Sequence, residues 1–314
     1  MMPKVTIVGA GHVGATAASL LLMKDSADVV LVDIAENIAK GKALDLMQMR
    51  SNERFKSTIC GSGDYADTAQ SDIVVITAGV PRRPGMTRED LIGVNAAILQ
   101  NVLTSALPAS PDALYLIVTN PLDIMVNLAF ELSGLPASRL MGMGGVLDSA
   151  RFVHAIAQAT EAEPQSIEAM VIGAHGQGMV PLVSRATVKG QPLANILVNP
   201  QEQIAAIVQA TVDGGAAVVE LLQTGSAFYA PASSIVVMIE ALLDCRSDPL
   251  SVCARLEGEY GIDGVFLCVP TRLGPHGVEQ IVEFDLAPNE LGQLQRSAQA
   301  VKEQLDKCRL TLSL

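Results

Sequence analysis

The stretch that most narrows what this chain can fold into is PKVTIVGAGHVG, residues 3–14, taken with the segments immediately C-terminal to it. PKVTIVG is a continuous apolar run of strand length, as in a parallel sheet buried on both faces. Gly9, Gly11 and Gly14 close it with GxGxxG spacing, and a helical stretch, ATAASLLLMK, comes next. A second apolar run, DVVLVDI, carries Asp33 nineteen residues beyond Gly14. The glycine pattern alone is weak evidence. Strand, glycine turn, helix, strand and acid in this order are a dinucleotide-binding unit. The first glycine permits the tight turn and the third allows close helix–strand packing. The second lets the backbone of Gly9, Ala10, Gly11, His12, Val13 and Gly14 approach a pyrophosphate at the helix N-terminus. Asp33 would accept hydrogen bonds from ribose hydroxyls and repel a 2′-phosphate, which favours NAD over NADP as cofactor.

The same grammar continues downstream. SDIVVITAG (71–79) reads as another buried strand, ending in Thr77, Ala78 and Gly79, small enough to lie beside a cofactor. VPRRPGMTRED has three arginines with Pro84 and Gly85, the composition of a mobile loop. A helix, TREDLIGVNAAILQNVLTSAL, starts within it and carries Asn95. ALYLIVTN reads as a strand ending at Asn120. Pro121 suits the first turn of the next helix, and Gly134 its end. RLMGMGG closes this unit near residue 143. Beyond it, segments such as SIEAMVIGAHG, MVPLVSRATVKG and DGVFLCVPTRLG predict antiparallel hairpins, with helices near 200–223, 229–244 and 287–308. The expected fold is α/β: a Rossmann doubly wound parallel sheet over 1–143, followed by an α+β substrate domain with antiparallel strands over 144–314. No Pro/Gly/Ser-rich linker divides them, so the site should lie between them.

Composition closes off several functions. The chain of 314 residues has a formal net charge of −12, which repels phosphodiester backbones and anionic lipid; nucleic acid and membrane are not expected partners. No stretch approaches about 18 uninterrupted apolar residues, so no transmembrane helix is expected, and the short N-terminal run ending in glycines reads as a strand, not a signal peptide. Five scattered cysteines without a CxxC pair suggest neither a zinc site nor a disulfide framework and fit a reducing, cytoplasmic setting. Methionines 47, 49, 141 and 143 read as core filler.

The chemistry concentrates in VIGAHGQG (171–178) and LDSAR (147–151). An apolar run delivers His175 into a glycine-lined bend. Asp148 and Arg151, three residues apart, share one helix face. Together they offer a proton acceptor, a carboxylate to orient it and a cation for an anionic substrate. His12, His154 and His276 read as a variable turn position, a helix face and a loop.

GAGHVG, the DIVVITAG–RRPGMTR loop, VTNP, LDSARF and GAHG occur in the order and spacing of the malate/lactate dehydrogenases, and the chain resembles that family from residue 3 to about 310. The resemblance implies hydride transfer between NAD and a 2-hydroxy acid, with His175 as general acid/base and Asp148 fixing its tautomer. It makes Arg88 the loop cation that closes over the substrate, Arg151 the holder of the C1 carboxylate and Asn120 the positioner of the substrate oxygen. Val118, Thr119 and Asn95 line the nicotinamide side, and Ser226 is a weaker match nearby. Arg82, six positions before Arg88, is where the family separates malate from lactate; arginine there implies a second carboxylate, hence reversible oxidation of (S)-malate to oxaloacetate. Arg83 is a substitute for that role on sequence alone. The nicotinamide carries the redox step, so no metal is called for. Family members are commonly homodimers or homotetramers. One departure is Gln177, where the family usually has an acid after HG. The rival readings are a lactate or other 2-hydroxyacid dehydrogenase and an inactive NAD-binding sensor.

Overall fold

A computed structural model describes residues 2–81, 86–244 and 248–312. The first half runs β1 (Lys4–Val8), α1 (His12–Met23), β2 (Asp28–Val32), α2 (Glu36–Gln48), α3 (Arg50–Glu53), β3 (Ile59–Ser62), β4 (Ile73–Ile76), α4 (Arg88–Ala109), β5 (Leu114–Ile117), α5 (Leu122–Ser133) and β6 (Leu140–Gly142). Its strands are parallel in the order β3-β2-β1-β4-β5-β6. The period of two sorts β4 between two cores. Ile73 and Val75 pack on the face of α1, Val74 and Ile76 on the face of α4 and α5. This explains the unbroken apolar runs: neither face of the sheet meets water.

The second half continues with α6 (Gly145–Thr160), β7 (Ile167–Glu168), β8 (Val171–Gly173), β9 (Met179–Pro181), β10 (Thr187–Val188), β11 (Gln191–Pro192), α7 (Leu193–Ile196), α8 (Pro200–Leu222), α9 (Tyr229–Asp244), β12 (Leu250–Glu257), β13 (Asp263–Gly274), β14 (Gly277–Ile281) and α10 (Pro288–Leu312). Antiparallel pairing dominates, as the alternating segments predict. The sheet does not stop at the change of texture, however. β6 pairs with β12, and the order runs on through β13, β8 and β9. Gly142 stands opposite Cys253, Cys253 opposite Cys268, and Cys268 opposite Gly173. The chain leaving β6 enters α6 and the chain leaving β8 reaches His175 from the same row of the sheet. That register brings the two halves of the site together.

One local reading changes. Pro121 is the N-cap of α5, behind a cis Asn120–Pro121 peptide, and not a first-turn residue. Gly134 ends α5 in the left-handed region, as expected. By length and composition α4 and α8 would each be apolar enough to cross a bilayer, a test that the core helices of folded domains also pass. α4 lays Leu91, Ile92, Leu99, Val102 and Leu103 into the core, whereas α8 buries only Ile207 and Thr211.

Candidate active site

The glycine turn shows the physical reasons for its spacing. Gly9 sits at φ +109, and a Cβ there would lie 2.6 Å from Thr77 Oγ1. A Cβ on Gly14 would lie 2.0 Å from the Gly9 carbonyl oxygen. At Gly11 a Cβ would meet nothing, because that residue faces a cleft of about 530 Å³. The cleft is also lined by Asp33, Thr77, Ala78, Gly79 and Tyr65. Asp33 accepts the Ala10 N–H at 2.8 Å and the Ala35 N–H at 2.9 Å, one on each oxygen. Each oxygen keeps a lone pair for a ribose hydroxyl. Burial, then the Asp33 charge, pushes the Tyr65 phenol up to about 12, so it stays a neutral donor there. Val13 follows half-buried on α1, and the His12 ring lies 5.1 Å from that of Phe228, just before α9. These residues fit a dinucleotide: a turn too tight for side chains, an open glycine and an acid at the ribose end.

Other expected cofactor residues act through the backbone. Asn95 is 1% exposed. Its amide donates to Val80 O (3.2 Å) and Asn120 O (2.7 Å), and its oxygen accepts Val80 N–H (2.8 Å). With both amide hydrogens engaged it braces the loop after β4 against the end of β5 and does not line the cleft. Thr119 is likewise buried and donates to Ala78 O at 2.7 Å. Val118 packs in the core, its N–H on Ile76 O.

A second cleft, about 450 Å³, is lined by Arg88, Asn120, Asp123, His175, Gln177 and, from α10, Gln304 and Lys307. Arg88 is the first residue of α4, whose start is fixed by a capping box between Thr87 and Asp90. His175 Nδ1 lies 2.8 Å from Asp148 Oδ2, and Asp148 Oδ1 accepts from Arg151 Nη1 at 3.2 Å. Asp148 is nearly sealed, its side chain 2% exposed, while His175 and Arg151 are each 19% exposed. Burial opposes charge on His175, but the Asp148 charge and hydrogen bond, with Asp123, outweigh both burial and Arg151, so its pKa rises above the ordinary imidazole value. Arg151 does not open into the His175 cleft; its guanidinium packs against Gly214 and Gly215 of α8 and lines a separate groove between α6 and α8. Ser226 is exposed, beside Ala227 of that groove. Arg82 and Arg83 lie outside the described residues.

Asp123 escapes a reading of the sequence alone. It is 8% exposed, and its two oxygens accept the His175 backbone N–H at 3.0 and 3.3 Å. Burial lifts its pKa to about 7 against the pull of His175. The signal was available: within LDIMV (122–126) it is the one polar residue of a first turn that is otherwise apolar. The glycines of α8 against Arg151 carried no comparable sign.

This constellation, a dinucleotide turn on one cleft and, at a second, a His–Asp pair with Arg88 on the cleft wall and Arg151 on the aspartate, is that of a nicotinamide-dependent dehydrogenase. The chain belongs to the lactate/malate dehydrogenase family: residues 3–142 match its NAD-binding domain and residues 145–310 its alpha/beta C-terminal domain. It is 48% identical to the malate dehydrogenase of Pelodictyon phaeoclathratiforme, over 96% of each chain. Among solved structures it resembles the malate dehydrogenase of Cryptosporidium parvum (40% identity, TM-score 0.94, 98% of this chain and 99% of that one). It resembles equally the lactate dehydrogenase of the same organism, solved with lactic acid and β-nicotinamide adenine dinucleotide (39% identity, TM-score 0.94, 98% of each chain).

Proposed function

We propose that this chain is an NAD-dependent malate dehydrogenase, catalysing reversible oxidation of (S)-malate to oxaloacetate. The observation that carries the reading is the 2.8 Å contact between His175 Nδ1 and buried Asp148, with Arg151 on the other carboxylate oxygen. Asp148 fixes the proton on Nδ1 and leaves Nε2 to take the substrate hydroxyl proton in oxidation and return it in reduction. Bound NAD supplies the hydride acceptor. Asp148 stabilises the imidazolium formed as the hydride leaves C2. Asp33 and the glycine turn hold the cofactor, and Asn120 and Arg88 reach the same cleft as His175. Arg151 takes the C1 carboxylate once its guanidinium turns from α8.

The lactate reading keeps a specific support, because the fold matches the Cryptosporidium lactate enzyme as closely as the malate enzyme. Global shape therefore cannot separate the two, and the choice falls to Arg82. NADH oxidation with oxaloacetate and with pyruvate, in wild type and Arg82→Gln, tests it. Wild type prefers oxaloacetate, and the substitution erodes that preference by roughly 2–4 kcal/mol, the scale of a lost charge pair in a closed site. A wild type that prefers pyruvate removes the malate reading; one that binds NADH and reduces neither leaves the sensor.

We also propose a homo-oligomer, dimer or tetramer. α8 exposes Val219, Leu221 and Leu222, and the groove of about 710 Å³ between it and α6 is lined mainly by apolar side chains. Scattered cysteines, four of them free among the described residues, support work in the cytoplasm.

A further inference from the structure

The glycine turn has a partner outside its own motif. Lys42, on α2, is half-buried behind it, and its Nζ donates to the Ala10 carbonyl at 2.6 Å and to the Gly11 carbonyl at 3.4 Å. Lys42 is not among the residues lining the cofactor cleft. Among the described residues no carboxylate lies within ion-pair distance of it, whereas its neighbour Lys40 is paired with Glu36. A positive charge therefore rests on the Ala10 oxygen, and at longer range on the Gly11 oxygen, which also accepts the Ala15 N–H at 3.1 Å as the first bond of α1.

Peptide planarity says what this does. In a trans peptide the C=O and the following N–H point in opposite directions. The Ala10 carbonyl, drawn towards Lys42, aims the Gly11 N–H away from α2, and Gly11 faces the cleft; the Gly11 carbonyl and the His12 N–H follow the axis of α1. An ammonium on a carbonyl oxygen also polarises the amide, making its N–H a stronger donor. The start of α1 needs such a ligand: its N-cap, Gly11, provides no side-chain cap, and no acid lies in the first turn. Its first N–H groups carry the positive end of the helix dipole. A lysine beside them is misplaced for helix stability, and that placement makes sense once an anion binds. Asp33 holds the other side of the same residue through the Ala10 N–H.

We infer that Lys42 is a positioning residue for the cofactor diphosphate: it orients and polarises the Ala10–Gly11 peptide and adds to the polarisation of the next, without touching the ligand. The inference builds on NAD binding and is independent of which hydroxy acid is turned over.

The test compares three ligands in Lys42→Met and Lys42→Arg: NADH by its fluorescence, and ADP-ribose and adenosine by competition. In Lys42→Met, NADH and ADP-ribose weaken roughly tenfold, the scale of one charge-assisted hydrogen bond, while adenosine, which lacks the diphosphate, stays within about twofold. Lys42→Arg restores most of the loss, and in turnover the KM for NADH rises more than kcat falls. Unchanged NADH affinity in Lys42→Met overturns the inference. So does an equal loss for adenosine, which marks general collapse of the turn. Failure to reduce oxaloacetate would sink the malate reading and leave these binding results intact.

Discussion

The two clefts are built on opposite principles. The dinucleotide half is shaped by steric exclusion: Gly9 and Gly14 are fixed by atoms that a Cβ would strike at 2.6 and 2.0 Å. The catalytic half is shaped by charge: Asp148 stands between His175 and Arg151, and Asp123 holds the His175 backbone. Excluded volume does not titrate, and ionisable groups do. Damage to the glycines of the first cleft should therefore be independent of pH, while damage to the charged groups of the second should move with it.

The largest effect should come from Asp148→Asn. It keeps the shape but removes the charge on His175 and can leave the imidazole in the wrong tautomer; kcat should fall roughly 10³-fold with little change in NADH affinity. The proposed mechanism needs neutral His175 for malate oxidation, so in wild type the rate should decline as pH falls through the raised histidine pKa. With burial left as the leading influence, that limb moves to lower pH in the variant. Stability should follow the same linkage. The gain from charged His175 in wild type is complete below the unfolded imidazole pKa and lost as pH rises through the folded one. A pH–rate profile whose acid limb does not move would show that Asp148 acts by packing alone.

Gly14→Ala should come next. A methyl placed 2.0 Å from the Gly9 carbonyl forces the turn and α1 apart, lowering stability by about 1–3 kcal/mol. NADH binding, measured by fluorescence, should weaken by the same factor at acid and alkaline pH. A loss that varies with pH would blur the contrast between the clefts.

Legibility follows the same division. The turn could be read in sequence because a steric requirement leaves one residue type possible, and the glycines, the strands and Asp33 lie within one short stretch. His175, Asp148 and Arg151 were readable as motifs, but their meeting depends on the row that sets Gly142, Cys253, Cys268 and Gly173 side by side. Pairing between distant strands leaves no local mark. Asn95 shows the intermediate case: the residue was identified, while its bracing of Val80 and Asn120 required the fold. Asp123 has one local sign, its apolar neighbours in LDIMV, but an acid in a helix first turn is ordinary on a surface and it is tertiary burial that makes this one unusual.

Asp123 also gives the smallest and most discriminating prediction. Its folded pKa is raised to about 7, so ionising it costs stability over the interval from the ordinary carboxylate value, about 4, up to that point. The sign follows from linkage: the favourable contribution is full below the unfolded pKa and disappears as pH rises through the folded one. Asp123→Asn keeps an oxygen to accept the His175 N–H and cannot ionise. Its melting temperature relative to wild type should therefore become more favourable between pH 5 and pH 8, by a few degrees, with kcat changed only several-fold. A difference constant across that range would make Asp123 a plain hydrogen-bond acceptor and confine the electrostatic character of this cleft to Asp148.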